Sequence, residues 1–190
     1  MNRLNRRMCH LGLLAGVLLS ALAHAADPGT GPPKPSAWQR HNLIIEFHDL
    51  PKRYSCNDLW YKFRDVLLRL GADTRMDILP YRCEKALGAG ARSPRVRLEF
   101  FVPAVRSGVQ AAAADFEARP ENIRIAPGEP ASIHREDCAL LRQMRASLPG
   151  HIVRFHLNCL APSNGEPPFS ITYQALRRID NPAAEAAAAR

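Results

Sequence analysis

The stretch CNDLWYKFRDVLLRLGADTRMDILPYRC, residues 56–83, begins and ends with cysteine and has the pattern of a helix followed by a strand. Residues 138–159, CALLRQMRASLPGHIVRFHLNC, repeat this arrangement in a shorter form. A further strand-like segment follows each stretch, at 95–100 and at 169–173. Such repetition predicts a chain built from two copies of one unit. Identity between the copies is low, so chance similarity is the alternative.

An amphipathic helix is the clearest element of the first copy. Its apolar residues recur at helical spacing and form one stripe: Leu59, Phe63, Val66, Leu67 and Leu70. Ser55 or Asn57 can cap this helix, and Gly71 ends it. The second copy predicts a shorter helix that starts at Cys138 and stops before Pro149.

Strand-like segments surround both helices. Alternating apolar residues predict strands at 43–48, 76–83, 95–102, 123–125, 152–159 and 169–176. Leu79 and Cys83 lie an even number of positions apart, as do Phe155 and Cys159, so each cysteine is expected on the same face of its strand as that apolar residue. Both cysteines are therefore predicted on the apolar faces of their strands. The sequence therefore predicts an α+β fold of two tandem β-α-β-β units, with helices packed on one face of an antiparallel or mixed sheet.

Composition divides the chain into six predicted segments. They are a signal peptide (1–25), a proline-rich disordered leader (26–41), the first β-α-β-β unit (42–103), a linker (104–120), the second unit (121–178) and a disordered tail (179–190). The leader has four prolines between residues 27 and 35, which disfavours a helix or a strand ladder. The tail is mostly alanine and lacks an apolar stripe.

Residues 1–25 have the pattern of a secretory signal. Three arginines precede an apolar run, 11–23, and residues 23–25, Ala-His-Ala, fit the cleavage pattern of small residues. The run is shorter than the roughly 20 residues that a spanning helix needs. Cleavage near Ala25 would leave a periplasmic or secreted chain with no transmembrane span.

The mature chain is mildly basic. Removing the signal lowers the number of lysines and arginines from 26 to 23, against 18 acids, so the net charge is +5. The cations are not clustered as in nucleic-acid-binding proteins, so the sequence predicts no nucleic-acid partner. The charge favours an envelope protein or an anionic envelope component as partner. The alternative is that the positive net charge only keeps the protein soluble.

Four cysteines remain in the mature chain and predict two disulfides, because an even number is typical of oxidising compartments. A metal site is the alternative, but no two cysteines have the spacing of a zinc site. A redox Cys-x-x-Cys pair is also absent from the sequence. In a strand–helix–strand unit, the helix start and the end of the second strand lie at one edge. The predicted pairs are therefore Cys56–Cys83 and Cys138–Cys159.

Catalytic motifs are missing from the mature sequence, which has no nucleophile elbow, zinc-protease helix, phosphate loop or dinucleotide fingerprint. His134 precedes an acidic turn that ends at Asp137, and we interpret this turn as a helix cap, with a catalytic triad as the alternative. His151 and His156 are five residues apart on one strand and are expected on opposite faces, which argues against a shared metal. No catalytic residue, metal or cofactor is predicted.

Three cations, Lys52, Arg53 and Arg135, lie in the loops before the two helices, and helix N-termini favour anions. These residues are the candidate binding surface, with ordinary solvated loops as the alternative. The leading hypothesis is a non-enzymatic, exported binding or interaction protein, such as an envelope accessory factor or an inhibitor or immunity protein. A hydrolase with an unrecognised site and a carrier of a small anionic ligand are the alternatives.

Overall fold

The computed structural model describes residues 31–51, 54–83, 93–160 and 166–179. Within them the chain forms one six-stranded antiparallel sheet, which confirms the α+β class. The strands are β1 (Lys34–Glu46), β2 (Asp77–Tyr81), β3 (Arg95–Val105), β4 (Phe116–Ile125), β5 (His151–Leu157) and β6 (Phe169–Arg178). The helices are α1 (Cys56–Arg69) and α2 (Cys138–Met144), with short 3₁₀ turns at Gly108–Ala113, Arg135–Asp137 and Arg145–Ser147.

The strands lie in the order β2-β3-β1-β4-β6-β5. The first half of the chain supplies β2-β3-β1, and the second half supplies β4-β6-β5. The halves join where residues 34–36 of β1 pair with residues 116–118 of β4. By contrast, β1 pairs with β3 all the way from Ser36 to Glu46. The sheet is continuous, but its two halves share only a short ladder.

One hydrophobic core contains side chains from both halves. The predicted stripe of α1 is buried in it, and the ring of Phe63 lies 6.0 Å from that of Phe47. Alternate residues of the central strands are also buried in it: Val96, Leu98 and Phe100 of β3, and Phe169, Ile171 and Tyr173 of β6. Burial of apolar surface contributes about 25 cal/mol per Å². Because the two halves bury their apolar side chains in the same core, this contribution favours one shared core over two separate ones.

Two glycines let the segments between helix and strand approach β6 closely. Gly71 follows α1 with a φ of 86°, and a Cβ there would lie 2.7 Å from the carbonyl oxygen of Leu176. Gly150 precedes β5 with a φ of 99°, and a Cβ there would lie 2.9 Å from the carbonyl oxygen of Gln174. Both positions need a residue that lacks a side chain and tolerates a left-handed φ.

We expect Gly71→Ala to lower the free energy of unfolding by about 3 kcal/mol, because a left-handed φ and an overpacked contact both cost energy. Gly108→Ala is the matched control, since Gly108 also has a positive φ, 59°, but a Cβ added there would meet no atom within 4 Å. Its expected cost is about 1 kcal/mol. Urea unfolding measures both, and equal losses would contradict the role of the contact with β6.

Two predicted boundaries are wrong. β1 begins at Lys34, so residues 34–41 belong to the sheet and not to a disordered leader. They are ordered by pairing with β3 and β4 and by the ring of Trp38, which lies 4.8 Å from that of Phe116. β4 begins at Phe116, so the end of the predicted linker 104–120 is also a strand. The predicted signal peptide and residues 180–190 of the tail lie outside the described residues.

The predicted orientation of side chains is correct for β5 and wrong for β2. Phe155 pairs with the buried Ile171 and so lies on the core side of the sheet, but on this edge strand its side chain is 59% exposed. In β2 the core residue is Ile78, whereas Leu79 faces away and is 47% exposed. Arg82 then adopts a φ of 61°, so the alternation ends before Cys83. This turn lets the cysteine pack against the core although Leu79 does not.

Candidate functional site

Two disulfides, Cys56–Cys83 and Cys138–Cys159, are present, with Cα–Cα distances of 5.2 and 5.4 Å. Each joins the first residue of an α-helix to the segment that follows the next strand. This is the pairing predicted from the topology of a strand–helix–strand unit. Disulfides persist in oxidising compartments, so both are compatible with an exported protein.

A buried network joins α1 to the turn that precedes α2. The Nζ of Lys62 donates to Oδ2 of Asp137 at 2.7 Å and to the carbonyl oxygen of Ser132 at 2.5 Å. The hydroxyl of Tyr54 donates to Oδ1 of Asp137 at 2.9 Å, and the backbone N–H of His134 donates to Oδ2 at 2.7 Å. The side chains of Lys62 and Asp137 are 1% and 0% exposed. The network therefore connects the two halves of the chain beneath the surface.

The buried network has the properties of a structural contact. Its central carboxylate, that of Asp137, is closed to solvent and accepts several hydrogen bonds, so it is not placed to act on a substrate. Burial, and then the charge of Asp137, hold the pKa of Tyr54 well above its usual range, which keeps the hydroxyl a donor. Sequence reasoning missed Lys62, although the residue lies three positions after Leu59 within the apolar stripe of α1.

The predicted binding residues are only partly described. Lys52 and Arg53 lie outside the described residues. Arg135 is exposed, and its Nη2 donates to the carbonyl oxygen of Glu166 at 3.2 Å. It borders an open cleft of about 490 Å³. The cleft is also lined by Pro127, Gly128, His134 and Glu136. The contact between Tyr54 and Asp137 shows that the segments before the two helices meet.

The sheet face opposite the core, which we call the outer face, has paired charges on its β2-β3-β1 half. The ion pairs are Arg40–Glu99 at 2.8 Å, Arg95–Glu46 at 2.6 Å and Arg97–Asp77 at 3.5 Å. Ile44 and Leu79 flank Arg97 in one row across the three strands. Positive charge on this half is therefore locally neutralised by carboxylates.

The part of the β4-β6-β5 half of the outer face that lies far from β1 is basic and polar. We call it the basic patch, and its members are Asn122, Arg124, His151, Arg154, His156, Ser170, Thr172 and Gln174. Nearer β1, the outward-facing residues of these strands include Phe116, Pro120 and Leu176. Arg124 and Arg154 lie in one row with Thr172 between them. The Nε of Arg124 donates to the Oγ of Ser170 at 3.0 Å. Among the described residues of these strands that face outward, none is acidic. Arg124 and Arg154 therefore lack the neutralising acids that the arginines of the other half have.

A β-bulge in β5 brings both histidines of the strand to the basic patch. The pairing with β6 shifts between Ile152 and Arg154, so His151 and His156 both face outward. The prediction of opposite faces is wrong because it assumed unbroken alternation. Their partners on β6 are four residues apart, about 13 Å along a strand, which is too far for one metal ion. Within the described ranges, no three His, Cys, Asp or Glu residues are grouped to hold a metal.

The comparisons with known proteins give no relative. No family model, no curated protein and no solved structure matches the chain. None of the helices in the described part of the chain is long and apolar enough to cross a membrane. Function is therefore inferred from the geometry of the fold and of the outer face.

Proposed function

We propose that this chain is a non-enzymatic, exported binding or interaction protein that acts through the outer face of its sheet. The observation that carries the proposal is the broad exposed face, one half neutralised by ion pairs and the other basic. A periplasmic protein of this kind would serve as an envelope accessory factor or as an inhibitor or immunity protein. Its partner would be an envelope protein or an anionic envelope component.

The outer face is suited to an extended partner. Side chains on a sheet stand in rows about 4.8 Å apart, which makes a flat array of contacts. Small ligands are usually held in concave sites, whereas polymers and proteins match flat ones. A hydrolase built on His134 and Asp137 is less favoured, because the carboxylate of Asp137 is buried and hydrogen-bonded.

Export is part of the proposal. The sequence of residues 1–25 predicts a signal peptide with cleavage near Ala25. The two disulfides support this location, since cytosolic thiols are kept reduced.

We also infer that the chain consists of two tandem β-α-β-β units with both helices on one face of the sheet. The strand order β2-β3-β1 of the first half corresponds to β5-β6-β4 of the second. The disulfides occupy equivalent positions, and a glycine with positive φ, Gly71 or Gly150, lies between helix and strand in each half. Both helices contribute buried side chains to the shared core, which supports packing on the same face.

Affinity capture from a periplasmic extract tests the proposed function. We expect the immobilised mature chain to retain the same envelope component repeatedly. Replacing four outer-face arginines by glutamine should reduce its recovery about 10-fold or more, since charge-assisted contacts are lost. The replaced residues are Arg40, Arg97, Arg124 and Arg154.

The matched control changes four arginines away from the outer face and lowers the net charge equally. These are Arg64, Arg119, Arg142 and Arg177. We expect the control variant to retain the partner nearly as well as the wild type. Repeated failure to capture any component, or equal losses in the two variants, would contradict binding through the outer face.

A further inference from the structure

The two halves of the outer face have related topology and different charge. In the β2-β3-β1 half, Arg40 and Arg97 each lie within 3.5 Å of a carboxylate. In the basic patch, Arg124 and Arg154 are exposed and no outward-facing carboxylate lies on the same three strands. Unneutralised cations in a fixed array are the feature of an anion-binding surface.

The geometry of the basic patch sets the size of its ligand. Arg124 and Arg154 lie on strands that flank β6, so their Cα atoms are about 10 Å apart at about 4.8 Å per strand. Ser170 contacts the guanidinium of Arg124 at 3.0 Å and restricts its position. One small anion cannot contact both guanidinium groups at this separation if each side chain stands perpendicular to the sheet. A ligand with anionic groups repeated along a chain can contact both guanidinium groups at once.

The chemistry of the basic patch selects among polymers. Guanidinium groups bind carboxylate, phosphate or sulfate oxygens through paired hydrogen bonds. The neighbouring side chains are amides, hydroxyls and imidazoles, which both donate to and accept from hydroxyl groups. Sugars present such hydroxyls at high density. The patch thus offers charge for anionic groups and hydrogen bonds for the rest of a polysaccharide chain.

Other macromolecules fit the basic patch less well. Protein interfaces depend on aromatic and apolar anchors, and single-stranded nucleic acids stack on aromatic rings. The eight members of the patch include no aliphatic side chain, and their only rings are imidazoles; the outward-facing apolar residues Phe116, Pro120 and Leu176 lie on the side toward β1. Anionic membranes attract each arginine by about 1 kcal/mol, so two arginines give only weak adsorption. We propose that the basic patch binds an anionic polysaccharide of the cell envelope, an inference that rests on the proposed role as an exported binding protein.

Titration calorimetry with polygalacturonate and with dextran sulfate tests this inference on the mature chain. Wild-type protein should bind at least one of the two polymers and should not bind neutral dextran. The variant with Arg124→Gln and Arg154→Gln should bind about 10-fold more weakly or worse, as expected for two lost charge-assisted contacts. The control variant with Arg64→Gln and Arg177→Gln, which has the same net charge, should change affinity by less than about 2-fold, because these arginines lie away from the outer face and each is paired with a carboxylate.

Three outcomes would overturn the inference. Equal weakening in both double variants would mean that diffuse charge is responsible, and absence of wild-type binding to both polymers would exclude the ligand class. Tighter binding to phosphatidylglycerol vesicles than to either polymer would assign the patch to a membrane surface.

If capture from the extract succeeds while both polymers fail, only the ligand class is wrong and the proposed function stands. Urea unfolding of each variant confirms that it is folded.

Discussion

Asp137→Ala is expected to lower the free energy of unfolding by about 3 kcal/mol, because it leaves the buried ammonium group of Lys62 with only the partly exposed carboxylate of Asp58, 3.7 Å away. The hydroxyl of Tyr54 and the N–H of His134 lose their acceptor in the same change. Domains of this size are typically stable by about 5–15 kcal/mol, so the loss is a large fraction of the total. Urea unfolding of the wild type and the variant measures it.

Asp77→Ala is the matched control for the buried pair. Asp77 also faces an arginine, at 3.5 Å, but the side chains of Arg97 and Asp77 are 56% and 62% exposed. Solvent screens such a pair, so the expected loss is at most about 1 kcal/mol. Adding Lys62→Met to Asp137→Ala should recover part of the stability, because the buried ammonium group, which has lost its closest carboxylate, is then gone. If Asp137→Ala costs no more than Asp77→Ala, the network does not stabilise the fold.

Loss of the disulfides is the second change with a large expected effect. The cysteines are 27 and 21 residues apart in sequence. The chain-entropy model then gives about 3–4 kcal/mol for each bond. Removing one disulfide, by replacing either Cys56 and Cys83 or Cys138 and Cys159 with serine, should leave a protein that folds but is less stable. Replacing all four removes about 7 kcal/mol, which approaches the whole stability of a typical domain.

Thermal unfolding followed by circular dichroism measures these losses. We expect each double variant to melt well below the wild type and the quadruple variant to be largely unfolded at physiological temperature. The wild type in excess reductant is the control, since it should reproduce the quadruple variant without any substitution. A quadruple variant that melts with the wild-type midpoint would contradict a stabilising role for the disulfides.

The sequence is sufficient for features that depend on local pattern. The stripe of α1, its end at Gly71 and the α+β class follow from periodicity and residue type. The pairing of Cys56 with Cys83 follows from topology once the helix and strand are assigned. Each of these depends on residues less than 30 positions apart. Short-range geometry therefore determines them.

Features that depend on distant contacts could not be predicted in this way. Residues 34–41 have no alternation of apolar and polar side chains that would predict a strand, and their pairing with β3 and β4 makes them one. Lys62 is buried because Asp137, 75 positions away, provides its counter-charge. Nothing in the local pattern of either residue identifies the other. The long β1 strand and the buried network are thus tertiary effects.

The basic patch is also a product of the register between strands. Arg124 and Arg154 become neighbours of Thr172 only through the ladders with β6. The bulge that turns His151 and His156 to one side coincides with two consecutive apolar residues, Ile152 and Val153, but a bulge is fixed only by the pairing with β6. Sequence reasoning instead placed the candidate binding surface at Lys52, Arg53 and Arg135, where charge and helix starts coincide.

A solution NMR titration of the mature chain with polygalacturonate decides whether the basic patch is the binding surface. We expect the amide shifts to concentrate at residues 122–124, 154–156 and 170–174. Shifts concentrated at residues 134–137, around the cleft, or on the paired-charge half of the outer face would contradict binding at the basic patch.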